Sequence, residues 1–69
     1  MKPSWKDAPE WANWLAMDDD GEWVWFYDKP ELAFGLWSTK ASGLEAECGD
    51  DFWDRDHCID AELTLESRP

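Results

Sequence analysis

Long apolar runs are missing from this sequence: no stretch could cross a membrane as a helix, and no apolar segment follows a basic N-terminus as in a signal peptide. A soluble, intracellular chain is the expectation. Cations are scarce as well. Six Lys and Arg face seventeen Asp and Glu, which leaves a formal net charge of −11. That balance argues against direct binding to nucleic acid, where Lys and Arg supply most of the affinity by neutralising phosphates. An anionic membrane surface is disfavoured for the same reason. Histidine occurs once, as His57, and the serines sit outside any nucleophile motif, so a catalytic triad has no footing. Four scattered glycines make no phosphate-cradling loop. Neither an enzyme activity nor a cofactor is expected.

Cysteine is sparse too. Cys48 and Cys58 are the only two, and in an intracellular protein they are expected to be reduced thiols rather than a bridge. With His57, and Asp56 or Asp60, they offer a set of metal ligands. Adjacent His57 and Cys58 rarely reach one tetrahedral ion together, however, and there is no C-x-x-C pair, so no metal site is expected.

What the chain does have is acid and tryptophan. Its 69 residues make a single domain, 1–69. A chain this short buries only about 60% of its unfolded surface, so its core is marginal. Seven Trp, three Phe and one Tyr offset that, because each buried aromatic removes roughly 150–250 Å² from water.

The local patterns predict mostly strand. Asp7-Ala8-Pro9-Glu10 has the spacing of a capping box, which predicts a short helix or helical turn through Trp11 and Ala12. Asn13–Met17 and Glu22–Tyr27, joined by Asp18-Asp19-Asp20-Gly21, read as a β-hairpin with its positive-φ residue supplied by the Asp-Gly pair. Period two puts Trp23, Trp25 and Tyr27 on one face of the second strand and Val24 and Phe26 on the other. Both faces are apolar, so this strand is either central and covered twice or carries a binding surface. Pro30 breaks the ladder, and Leu32–Trp37 reads as a third strand. A loop over Ser38–Gly43, an edge strand over Leu44–Cys48, and a helical turn through Phe52, Trp53 and Arg55 follow. Ala61–Glu66 reads as a last strand with Leu63 and Leu65 inward, and Ser67–Pro69 as a tail. The fold class is therefore α+β, mainly β: a small twisted antiparallel sheet, a meander of three to five strands, with one short N-terminal helix or helical turn.

The pattern Trp5-x-x-Ala8-Pro9-Glu10-Trp11-Ala12-x-Trp14-Leu15-Ala16-x-Asp18-x-Asp20-Gly21-x-Trp23-x-Trp25-Phe26-x-x-x-Pro30, followed by Trp37 and a closing Leu65-Glu66-x-Arg68-Pro69, resembles a group of small bacteriophage and prophage proteins without an assigned activity. The resemblance covers more than half the chain and does not extend to residues 44 to 62. It implies a phage origin and action in the cytoplasm of a bacterial host cell. Trp14, the Asp-Gly turn, the aromatic block Trp23–Tyr27 and Trp37 are also spaced much as in WW domains. The His and Thr that flank the WW groove are missing, and the aromatic block is one residue too long.

Acidity is the feature that needs a functional explanation. Asp18, Asp19, Asp20 and Glu22 cluster at the hairpin tip. Glu45, Glu47, Asp50, Asp51, Asp54 and Asp56 form a second group, and Asp60, Glu62 and Glu66 a third. The plain reading is a solvated face that keeps the protein soluble. The functional one is a surface of spread carboxylates that competes with nucleic acid for a host protein's basic surface, as DNA mimics and anti-CRISPR proteins do. Asp18-x-Asp20-Gly21-Glu22 lacks the remaining ligands of a calcium loop and reads as a turn. Seven tryptophans are hard to bury in so small a volume, so Trp23, Trp25 or Trp37 is expected to stand exposed beside the carboxylates as an aromatic contact. The expectation is a monomer or small homo-oligomer that inhibits a host nucleic-acid-handling protein. The alternative is a peptide- or protein-binding module with a WW-like aromatic face, or a virion-associated accessory protein.

Overall fold

A computed structural model describes residues 2–39, 43–49 and 60–69. The expected helical turn over Phe52, Trp53 and Arg55, the possible ligands Asp56, His57 and Cys58, and the carboxylates Asp50, Asp51 and Asp54 lie outside the described residues.

Two strands form the centre. β1 (Trp14–Met17) and β2 (Trp23–Phe26) pair antiparallel, with Trp14 opposite Phe26, Leu15 opposite Trp25, Ala16 opposite Val24 and Met17 opposite Trp23. This is the hairpin the Asp-Gly turn predicts. Its loop closes through the Asp18 N–H donating to the Glu22 carbonyl at 2.8 Å and the Gly21 N–H donating to the Asp18 carbonyl at 2.9 Å. Gly21 takes φ 97°, a conformation open to glycine because it has no Cβ.

Later strands flank the hairpin on both sides. β5 (Glu45–Glu47) pairs with β2 and β6 (Glu66–Ser67) pairs with β1, giving the antiparallel order β5-β2-β1-β6. A second, two-stranded sheet consists of β3 (Glu31–Ala33) and β4 (Leu36–Ser38). The fold is thus mainly β and antiparallel, with 3-10 turns as its helical content among the described residues.

Both faces of the central hairpin are covered, which settles the ambiguity of β2. On one face Leu15, Met17, Trp23 and Trp25 pack with Ala12, under Trp5, Ala8, Trp11 and Cys48. The Trp5 and Trp25 rings meet at 5.0 Å between centroids, tilted by 59°. On the other face Ala16, Val24 and Phe26 pack with Trp37, alongside Trp14, Leu32 and Leu65. Tyr27 falls just beyond the strand and is exposed, its N–H donating to the Leu44 carbonyl at 2.9 Å.

Four expectations change. The helical turn is capped by Ser4, whose hydroxyl accepts from the Lys6 N–H at 3.2 Å, and spans Trp5–Asp7 rather than starting at Asp7. Proline has no N–H, and Pro9 instead accepts from the Ala12 N–H at 3.0 Å in a single turn. Leu32–Trp37 is not a third strand beside β2. It folds back at Phe34-Gly35, both at positive φ (52° and 79°), and the place next to β2 goes to β5.

At the C-terminal end, Ala61–Leu63 is a 3-10 turn, so Leu63 is 72% exposed instead of inward. Buried Thr64 explains the switch. Its hydroxyl accepts from the Met17 N–H at 2.9 Å and donates to the Ala61 carbonyl at 2.7 Å, completing the β1 edge with a side chain where a strand would use backbone. Finally, residues 67–69 are no loose tail. The Arg68 N–H donates to the Asn13 carbonyl at 2.8 Å. Its guanidinium donates to the carbonyls of Ala12 at 2.6 Å, Glu10 at 3.0 Å and Pro9 at 3.2 Å, and lies over the Trp5 ring. Glu66 accepts from the Trp5 indole and pairs with Lys2, so the chain's two ends are stitched together.

Candidate functional site

The carboxylates of the hairpin tip and those of β5 are far apart in sequence, and β2–β5 pairing brings them together. Val24 lies opposite Glu47, which puts Glu47 near the end of β2 that the Asp18–Glu22 loop closes, and Phe26 lies opposite Glu45 further along. Asp18 feels the charges of Asp20, Glu45 and Glu47, and Glu22 those of Glu47, Asp20 and Asp18. The result is one continuous acidic region where the sequence shows two clusters.

Its members differ in role. Asp19, Asp20, Glu45 and Glu47 are exposed. Asp18 is buried and structural: its Oδ1 accepts from the N–H of Trp37, the middle residue of β4, at 2.8 Å. Burial raises the Asp18 pKa, while the Trp37 hydrogen bond opposes that and the neighbouring acids add to it. Asp20 Oδ1 accepts from the Glu22 N–H at 3.0 Å and stiffens the loop. Glu22 is the most perturbed. Burial first, then a hydrogen bond with Glu47 and the surrounding negative charge, push its carboxyl up to about 7. A carboxylate–carboxylate hydrogen bond requires a shared proton, so near neutral pH the pair holds one on part of the molecules.

The carboxylate oxygens of Asp18, Asp20 and Glu22 lie within 4.8 Å of one another. Such an all-oxygen set suits a hard cation, which takes six to eight oxygens, or a guanidinium or ammonium group. The Trp37 amide already takes Asp18 Oδ1, and the raised Glu22 pKa favours its protonated form, both of which weaken the set as an ion site. The spacing is also tighter than that of successive phosphates, so this trio presents concentrated charge rather than a phosphate-like row.

The aromatic expectation is corrected. Trp23, Trp25 and Trp37 are 5%, 4% and 9% exposed, and none stands open beside the carboxylates. They are the bulk of the core, and the WW-like aromatic face of β2 lies under cover on both sides. Trp37 acts as a bolt, its indole N–H donating to the Met17 carbonyl at 2.9 Å. The Trp23 indole nitrogen is buried and has no partner among the described residues. Cys48 is half-buried, and burial, then the charge of Glu22, push its thiol up to about 12, which keeps it protonated and unreactive.

The exposed aromatic beside the acid is a residue the sequence reading passes over. Phe34 sits at the tip of the β3–β4 hairpin, and that tip abuts the acidic loop through the Asp19 N–H donating to the Gly35 carbonyl at 2.7 Å. The available signal was Gly35, an isolated glycine inside an apolar run. Among the described residues, no helix is long and apolar enough to cross a membrane. Comparison with family models, curated proteins and solved structures gives no significant match to this chain.

Proposed function

We propose that this chain is a small acidic binding protein that docks on a basic surface of a host protein, most specifically a phage-encoded inhibitor of a nucleic-acid-handling protein. The observation that supports this reading best is the merging of the 18–22 and 45–47 carboxylates into one region, at the end of a doubly covered sheet that holds them in place. Like charges held together weaken the fold, and a cationic partner relieves that cost on binding. The bacteriophage-like pattern of the first half, and the closing Leu65-Glu66-x-Arg68-Pro69, support the phage part of the reading. Inhibition follows if the covered surface is the one the host protein uses for DNA or RNA. The covered aromatic face gives no support to a peptide-binding module of the WW kind.

The test is affinity capture from bacterial lysate at low salt, followed by mass spectrometry. The expected catch is a nucleic-acid-handling protein that high salt releases and that DNA displaces. Capture of no such protein, or retention indifferent to salt and DNA, counts decisively against the reading.

A further inference from the structure

Phe34 is fully exposed (104%) and sits at φ 52°, in the left-handed region that bulky side chains avoid. A two-residue hairpin turn with both residues at positive φ favours Asn, Asp or Gly at its first position, so Phe here works against the local fold. Exposure leaves the ring without the hydrophobic gain that burial would give on folding. A strained backbone carrying a side chain that gains nothing from folding is an outlier from which a role in binding is inferred.

Its surroundings define the partner. Leu36, next along the hairpin, is exposed, and Asp19 and Asp20 are exposed in the neighbouring loop. A Cβ on Gly35 would lie 2.8 Å from Asp19 Cβ, so the two tips are in direct contact. The tip is also held in place, because the hydrogen bonds from Trp37 to Asp18 and Met17 tie β4 to the end of β1. An aromatic knob on a fixed hairpin beside carboxylates has the make-up of an interface anchor.

We infer that Phe34 is the apolar anchor of this protein's interface, inserting into an apolar pocket on the partner protein whose rim carries Lys or Arg that meet Asp19 and Asp20. This rests on the proposed acidic binding function and names the surface that performs it. The charge complement decides the occupant: an anionic lipid surface or a second, equally acidic copy would be repelled by the same carboxylates.

The probe is the basic protein identified by capture, purified and titrated against wild type, Phe34→Asn and Asp19→Asn/Asp20→Asn. Phe34→Asn is expected to weaken Kd about ten-fold or more, with an unchanged or higher melting temperature and an unchanged salt slope. Asp19→Asn/Asp20→Asn is expected to lower the salt slope. Hydroxyl-radical labelling of Phe34 in the wild-type chain, which needs no variant to fold, is expected to fall when the partner is added. Salt-sensitive binding with Phe34 still labelled, or with Kd unmoved by Phe34→Asn, overturns the anchor while leaving the acidic reading in place. Failure to capture any basic protein overturns both. Concentration-dependent dimerisation that Phe34→Asn abolishes overturns it in favour of self-association.

Discussion

At the scale of single residues, the acids divide into those that build the fold and those that face solvent. Asp18 and Glu22 belong to the first kind, and Glu22 gives the clearest consequence. Its folded pKa of about 7 lies above the ordinary carboxylate value, so the folded state binds the proton more tightly than the unfolded chain. The stability linked to that proton is fully present below about pH 4.5 and is lost as pH rises through about 7. Melting temperature should therefore fall from pH 5 to pH 8 more than it does in Glu22→Gln, where that dependence flattens; thermal denaturation across that range checks it. None of this was legible in the sequence. The acidic letters were plain, but which carboxylate meets which depends on β2 and β5 lying side by side, and that pairing is not a local property. The burial of the tryptophans is illegible in the sequence for a related reason. A strand apolar on both faces is ambiguous until its covers are known, and these come from Trp5, Trp11, Trp37 and Leu65, scattered along the chain.

The two hairpins show what local patterns do and do not disclose about elements. Asp20-Gly21 announces the first, because Asp and Gly are residues that positive-φ turns accept. Phe34-Gly35 hides the second, because a bulky aromatic at φ 52° runs against preference and the flanking residues read as an unbroken strand. Gly35 is the hinge on which this hairpin depends. Any Cβ there would face φ 79° and a contact of 2.8 Å with Asp19 Cβ. Gly35→Ala should cost about 1–3 kcal/mol. It should also part the two tips, seen by chemical denaturation and by faster exchange of the Asp19 amide proton. The C-terminal strand follows the same lesson. Alternating leucines predicted a longer strand, yet Thr64 satisfies Met17 with its hydroxyl, and the backbone is released into a 3-10 turn.

On the scale of the whole molecule, a net charge of −11 acts in opposite directions on the two properties that matter. Within the chain it is repulsive. Raising salt from about 0.01 M to about 1 M shortens the screening length from about 30 Å to about 3 Å, so the melting temperature should rise over that range. Affinity for a basic partner should fall over the same range. Melting curves and titrations run in matched buffers would show the crossing, and a melting temperature that drops with added salt would contradict the repulsive account. The fold class and the central hairpin were readable from composition and period two; the sheet order, the fixed C-terminal segment and the contact of the two hairpin tips were not, because each joins residues distant in sequence.

The burial of Trp23, Trp25 and Trp37, beside half-buried Trp5, Trp11 and Trp14, also bears on what an optical experiment on this protein reports. Indoles sealed in a core emit towards the blue, are sheltered from dissolved quenchers, and shift towards the red once water reaches them. These three indoles are thus a gauge of whether the molecule is folded.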